Sequence, residues 1–156
     1  MRSVLVIALS TLVFGLLLGW ADLKKPGEIT LEKIRWQTIL LIGVAQAVAL
    51  IPGTSRSGIT MTAGLMLGLT KDAAARFSFL LSIPLIAGVG FYKTIDLIGL
   101  DVVPWKEIFI GVVLSALTAF LCIHFFLKLL EKMGFMPFVI YRVVLSFILL
   151  YIYFGL

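Results

Sequence analysis

The sequence predicts an all-α membrane protein, a polytopic helix bundle that contains a re-entrant helix hairpin. Of its 156 residues, 62% are hydrophobic and 13% are charged, and the mean hydropathy is +1.17. A soluble domain of this length leaves much of its surface in water, so it cannot hide this much apolar side chain. Lipid must therefore be the solvent, and we expect residues 1–156 to form a single integral membrane domain.

Four apolar runs are long enough to cross a hydrocarbon core of about 30 Å. They cover residues 4–20, 73–92, 107–130 and 136–155. The first run could also be a signal peptide. Its length of about 17 residues and the basic residues directly after it favour a retained transmembrane helix instead.

Residues 37–70 follow a different pattern. Two apolar stretches, QTILLIGVAQAVALI and ITMTAGLMLGL, have about 15 and about 11 residues, so neither crosses the core alone at 1.5 Å per residue. The polar segment IPGTSRSGIT, residues 51–60, overlaps their junction. Irregular backbone at membrane depth is tolerated only where it is buried in protein or lines a wet cavity. The pattern is therefore typical of a re-entrant hairpin.

The basic residues provide a test of the hairpin. If the segment leaves on the side where it entered, one face carries Lys24, Lys25, Lys33, Arg35, Lys71, Arg76, Lys128 and Lys132, and the other carries Arg2, Lys93 and Lys106. A single broken helix that crosses the membrane would divide the same residues almost evenly. The positive-inside rule favours the hairpin and places both termini on the outer face. The formal net charge of +5 is explained by this bias and by anionic lipid headgroups, so no nucleic-acid partner is predicted.

Two glycine pairs have the small-xxx-small spacing that lets helix backbones approach closely. They are Gly15 and Gly19 in GLLLG, and Gly64 and Gly68 in GLMLG. Both pairs are expected to lie at helix contacts.

The polar turn has the composition of an anion site. Pro52 and Gly53 are expected to end the incoming half-helix, and Gly58 to let the chain turn into the outgoing one. The first N–H groups of the outgoing helix have no partner within it, and together with the helix dipole they attract an anion. Hydroxyl donors are expected around this site from Thr54, Ser55, Ser57 and Thr60.

Arg56 supplies a fixed positive charge and a planar fork that suits two phosphate oxygens. The alternative is that the hydroxyl groups only cap helix ends and that the arginine extends to the surface without a ligand. An arginine in the middle of a re-entrant turn is costly, and such residues are functional by default. The turn is therefore predicted to bind a phosphate or diphosphate below the membrane surface.

With QAVALIPGTSRSG, then FSFLLSIP and PFVIYR, the sequence resembles the undecaprenyl-diphosphate phosphatase family of the bacitracin-resistance type. These membrane enzymes remove one phosphate from a polyprenyl diphosphate, the lipid carrier of cell-wall synthesis. The resemblance implies an inverted-repeat fold in the bacterial inner membrane that opens to the outer face. It makes Arg56, Ser55 and Ser57 the catalytic candidates. The substrate-binding candidates are Gly53, Thr54, Gly58, Thr60 and Gln46.

The sequence lacks two features of this family, a Glu-x-x-x-Glu pair and a serine-rich loop that ends in histidine. No acid is placed beside Arg56 among Asp22, Glu28, Glu32, Asp72, Asp96, Asp101, Glu107 and Glu131. Diphosphate hydrolysis also needs a base or metal ligands. We therefore expect about half of the family fold, its C-terminal portion, which is inactive alone. A divalent cation, Mg²⁺ or Ca²⁺, would be held by an N-terminal half, and the partner is either that half or a second copy.

A second class of function is a small transporter or lipid-handling protein, since transporters also aim broken helices at anions. It would bind an anionic substrate without hydrolysing it.

Three further polar residues have competing interpretations. His124 is expected to pack or to hydrogen-bond another helix rather than to act as the base. Gln46 either lines the cavity or satisfies backbone groups. Arg142 is expected to snorkel or to pair with a neighbouring loop rather than to contact substrate.

Overall fold

The computed structural model describes residues 4–24, 27–98 and 105–155. The described ranges contain six α-helices and two short 3₁₀ helices, Leu31–Lys33 and Ala47–Leu50. The α-helices are α1 (Val4–Leu23), α2 (Trp36–Gln46), α3 (Arg56–Met66), α4 (Lys71–Ile98), α5 (Trp105–Met133) and α6 (Met136–Gly155). In these ranges the one β interaction is an isolated bridge between Ile29 and Leu69. The predicted all-α fold class is confirmed.

Four of these helices, α1, α4, α5 and α6, are long and apolar enough to cross a membrane. They coincide with the four predicted runs, and α6 has the predicted bounds. The helices α4 and α5 extend past 73–92 and 107–130 at both ends, because a helix can continue through polar residues that an apolar run excludes.

The two short helices α2 and α3 form a hairpin, and its two ends meet. Ile29 N–H donates to the Gly68 carbonyl oxygen and Thr70 N–H to the Ile29 carbonyl oxygen, each at 3.0 Å. At the same end, Lys71 forms an ion pair with Asp22 at the end of α1. The chain therefore returns to the end of the bundle that it left, and a single broken helix that crosses from one end to the other is excluded. Which membrane face this end occupies stays a prediction. Two of the basic residues counted for the two faces, Arg2 and Lys25, lie outside the described residues.

The GLLLG pair lies where α1 packs against α6. A Cβ at Gly15 would lie 3.1 Å from the Cβ of Arg142, and a Cβ at Gly19 would lie 3.0 Å from Cγ1 of Val139. Ser146 Oγ adds a hydrogen bond of 2.7 Å to the Ala8 carbonyl oxygen. Close packing through this pair is confirmed, because larger side chains would push the two helices apart.

Only one glycine of the GLMLG pair lies at a contact between helices. A Cβ at Gly64 would lie 3.2 Å from the Cβ of Ala74, so this glycine does let α3 approach α4. Gly68 instead follows the end of α3 with φ +89°. The Gly68 and Leu69 N–H groups donate to the Leu65 and Gly64 carbonyl oxygens, which is a Schellman cap. The expectation that both glycines lie at a helix contact was therefore wrong for Gly68.

A buried ion pair joins three elements at the end of the bundle where the hairpin begins and ends. Asp22 contacts Lys71 Nζ at the start of α4 and accepts the Phe135 N–H between α5 and α6 at 3.2 Å. The Asp22 side chain is only 3% exposed, whereas Lys71 is 33% exposed. A carboxylate this deeply buried depends on its partner, because removing the partner leaves a charge without compensation.

We expect Lys71→Met to lower the free energy of unfolding by roughly 3–5 kcal/mol, because Asp22 would stay buried and unpaired. The matched control is Asp72→Asn, which breaks the exposed pair with Arg76 and should cost at most about 1 kcal/mol. Reversible unfolding of both variants in mixed detergent micelles measures the difference. Equal losses would show that the buried pair has no special role.

Candidate functional site

The polar turn between α2 and α3 lies at the middle of α1. Ser10 Oγ donates to the Pro52 carbonyl oxygen, and Thr11 Oγ1 donates to the Gly53 carbonyl oxygen at 3.1 Å. Thr11 is roughly 16 Å along α1 from Asp22 at 1.5 Å per residue. This is about half of a 30 Å hydrocarbon core. Ser10 and Thr11 were not predicted to contact the turn, although a hydroxyl pair inside an apolar helix indicates a contact between helices.

Gly53 and Ser55 make the turn, and Gly58 does not. Gly53 has φ +89° and Ser55 has φ +63° and ψ +114°, a conformation that costs a non-glycine residue free energy. Gly58 lies inside α3, so its predicted role in the turn was wrong. It is needed for space, since a Cβ there would lie 3.0 Å from Arg142 Nη1 and 3.3 Å from Ser55 Oγ.

The four predicted hydroxyl groups divide into two pairs. Thr54 and Thr60 are buried, and Thr60 Oγ1 is bonded to Ser78 Oγ at 2.7 Å and to backbone carbonyls one turn back. Thr60 therefore joins α3 to α4 rather than facing a ligand. Thr54 Oγ1 is buried without a hydrogen-bond partner.

Ser55 and Ser57 are the exposed pair, with their Oγ atoms 3.4 Å apart. Ser55 also caps α3, because its Oγ accepts the Gly58 N–H at 3.2 Å. Ser55, a predicted catalytic residue, is therefore also a helix cap, as the alternative interpretation of the hydroxyl groups proposed. The two hydroxyl groups stand at the N-terminus of α3, where the free N–H groups and the helix dipole favour an anion.

Arg56 is half-buried and is held by Gln46. Arg56 Nε donates to Gln46 Oε1 at 3.0 Å, which is neither of the two roles proposed for Gln46. Because this bond engages Nε, the two Nη groups of the guanidinium stay available for a ligand. Gln46 therefore orients the fork of Arg56.

A cavity of about 590 Å³ adjoins the turn. Ser55, Ser57, Gly58 and Arg142 line its polar end, while Arg56 and Gln46 are not among its lining residues. Its apolar wall includes Met61, Phe79, Phe126, Phe135, Phe138 and Leu145. Arg142 and the two seryl hydroxyls therefore contribute polar groups to this cavity.

Arg142 approaches the turn from α6 and is only 8% exposed. Its Nη2 donates to the Gly53 carbonyl oxygen at 2.8 Å and to the Thr54 carbonyl oxygen at 2.9 Å. The expected pairing with a neighbouring loop is confirmed, and the alternative of snorkelling is wrong. Its contribution to a cavity was not predicted, because a contact across 88 residues depends on how α6 lies against the hairpin.

The described acids do not complete a hydrolytic site. Within the described residues, no group of three or more His, Cys, Asp or Glu could hold a metal ion, so these residues do not fit the expected cation on their own. Asp101 lies outside the described residues. His124 is exposed on α5 with its ring edge-on to that of Phe125, and it does not line the cavity.

Comparison with known proteins agrees with the sequence resemblance. The family described as Bacitracin resistance protein BacA matches residues 1–148. A protein named Undecaprenyl-diphosphatase 1 of Pseudoalteromonas translucida is 57% identical over 147 residues, which are 94% of this chain and 55% of that protein. Undecaprenyl-diphosphatase 2 of Stutzerimonas stutzeri is 57% identical over 159 residues, 99% of this chain and 59% of that protein. The chain therefore spans a little over half the length of the curated relatives it matches.

Proposed function

Because the chain belongs to the bacitracin resistance protein BacA family, we propose that it carries one part of the active site of an undecaprenyl-diphosphatase. The reaction is hydrolysis of a polyprenyl diphosphate to the monophosphate and inorganic phosphate. The observation that carries the proposal is the pairing of Arg56 with Gln46 at the N-terminus of α3, beside Ser55 and Ser57 at half-depth in the bundle.

In the proposed reaction, an oxygen nucleophile attacks the terminal phosphorus and the bond from that phosphorus to the bridging oxygen breaks. The bridging oxygen leaves with the prenyl monophosphate. If water attacks, it loses a proton to a base and the terminal phosphoryl group becomes inorganic phosphate; if a seryl hydroxyl attacks, water then hydrolyses the phosphoserine to release it. Charge builds up on the phosphoryl oxygens as the bond breaks. The two Nη groups of Arg56, the seryl hydroxyls and the free N–H groups of α3 are donors for that charge.

Among the described residues, no hydrogen bond or ion pair joins a carboxylate or a histidine to Arg56, Ser55 or Ser57, so the turn supplies donors without a base. We propose that a divalent cation, Mg²⁺ or Ca²⁺, and the acids that hold it come from another polypeptide segment, either an N-terminal half or a second copy of this chain. Such a cation would neutralise phosphate charge and activate the nucleophile. The proposal also places the protein in the bacterial inner membrane, with its site open to the outer face.

The experiment uses a hybrid in which this chain replaces the matching part of the Pseudoalteromonas translucida relative, with the rest of that protein unchanged. We expect the hybrid to release phosphate from farnesyl diphosphate and to lose this activity when a chelator removes divalent cations. The 156-residue chain alone should bind the diphosphate and release no phosphate, because its described residues lack a base beside Arg56.

One outcome would contradict the proposed function, and another would decide where the acids come from. Saturable binding without turnover by a folded hybrid would favour a transporter or lipid-handling protein. Release of phosphate by the purified chain alone would contradict the need for a separate N-terminal half, and it would point to acids contributed by a second copy.

A further inference from the structure

We propose that Arg142 is a second phosphate-binding residue, which receives the phosphate attached to the prenyl chain while Arg56 receives the terminal phosphate. This inference rests on the proposed function, because it divides the two phosphates of that substrate between two guanidinium groups. It assigns a ligand to the cavity on the α6 side of the turn.

The two arginines belong to different helices, Arg56 to α3 and Arg142 to α6. Arg56 is tied to Gln46 at the end of α2, outside the cavity lining. Arg142 comes from α6 and lines the cavity next to Ser55 and Ser57. One of its nitrogens, Nη2, holds the carbonyl oxygens of Gly53 and Thr54. The cavity that Arg142 lines therefore also borders Ser55 and Ser57, the chain neighbours of Arg56.

The charge of Arg142 has no anionic partner in the part of the chain that the structure describes. The ion pairs Asp22–Lys71 and Asp72–Arg76 do not involve Arg142, and its hydrogen bonds go to the neutral carbonyl oxygens of Gly53 and Thr54. Its Nε is buried without a hydrogen-bond partner. A buried cation at membrane depth is costly when only dipoles compensate it. An anion in the adjoining cavity would provide the missing counter-charge.

The shape of the cavity indicates which phosphate this anion is. Beyond its polar end the wall consists mainly of aromatic and aliphatic side chains, among them Phe79, Phe126 and Phe138. Only the phosphate esterified to the prenyl alcohol is joined directly to an apolar chain that could occupy such a space. The terminal phosphate carries no chain and suits the two Nη groups of Arg56. Arg142 would therefore keep hold of the monophosphate that remains after hydrolysis.

The test measures equilibrium binding to the 156-residue chain in detergent micelles, with farnesyl monophosphate, farnesol and inorganic phosphate as probes. The chain should bind farnesyl monophosphate about 10-fold or more tighter than farnesol, a difference that a charge-assisted phosphate contact supplies. Arg142→Met should remove this difference and leave farnesol binding unchanged. Arg56→Met is the matched control and should weaken farnesyl monophosphate binding by less than about 3-fold, and inorganic phosphate binding by more.

A purely structural Arg142 would give a different result. If it only held the turn, Arg142→Met would weaken farnesol and farnesyl monophosphate equally, or neither, and the proposal would be overturned.

Should Arg142→Met fail to fold, Leu145→Trp decides, because it fills the cavity from α6 without changing either arginine. It should weaken farnesyl monophosphate and farnesol by about 10-fold each through lost apolar contact, and unchanged binding of farnesyl monophosphate would overturn the proposal. Hydrolysis by the hybrid tests the proposed function separately, since these assays involve no turnover.

Discussion

Arg56→Lys in the hybrid enzyme is expected to lower the rate of phosphate release by about 100-fold or more, the scale for losing a preorganised donor to transition-state charge. Lysine keeps the positive charge but has one nitrogen in place of the fork. Lysine also has no Nε–H group, so the hydrogen bond through which Gln46 orients the guanidinium is lost. The loss should appear in kcat more than in KM, because the charge that the fork meets develops as the bond breaks.

Two companion variants make this result specific. Arg76→Lys is the matched control, because Arg76 pairs with Asp72 on the exposed surface of α4 and its replacement should leave phosphate release unchanged. Gln46→Leu should give an intermediate loss of about 10-fold, because the guanidinium stays but is no longer oriented. If Arg56→Lys keeps more than a tenth of the activity, a point charge is sufficient and the fork is not required.

Much of the fold follows from local features of the sequence. The four long helices could be predicted because the length of an apolar run fixes whether it crosses a membrane. The hairpin could be predicted because two runs were too short and a turn segment with Pro52 and Gly53 separated them. Ile29, before the hairpin, contacts Leu69, after it. The lengths of the apolar runs were therefore sufficient to predict that the chain turns back.

The orientation of side chains around the turn could not be predicted in the same way. Thr60 and Arg56 are close in sequence, yet Thr60 is bonded to Ser78 of α4 while Arg56 faces Gln46 of α2. Which neighbour each one meets depends on how α3 is rotated between α2, α4 and α1. The buried positions of Asp22 and Arg142 depend on contacts across 113 and 88 residues. Such contacts depend on how the helices pack in three dimensions, so they could not be predicted from local patterns in the sequence.

The backbone of Ser55 leads to a prediction in which stability and activity change in opposite directions. Ser55 has φ +63°, which costs a residue with a Cβ roughly 1–2 kcal/mol, and glycine does not incur this cost. Replacing a serine N-cap by glycine loses only about a few tenths of a kcal/mol. We therefore expect Ser55→Gly to raise the melting temperature of the chain in detergent. In the hybrid it should reduce phosphate release by about 100-fold, because the hydroxyl donor at the turn is gone.

Ser55→Ala separates the backbone from the hydroxyl group. It keeps the strained conformation and also loses the cap on the Gly58 N–H, so it should lower the melting temperature, while its activity should fall as far as that of Ser55→Gly. Ser57→Ala is the control for a neighbouring hydroxyl, since Ser57 is not the N-cap residue, and its melting temperature should stay near that of the unaltered chain. A Ser55→Gly protein that is less stable than Ser55→Ala would show that the backbone there is not strained. Full activity in both variants would show that the Ser55 hydroxyl takes no part in the reaction and only caps α3. We expect a loss of activity instead, because a strained backbone is usually retained where the residue has a function.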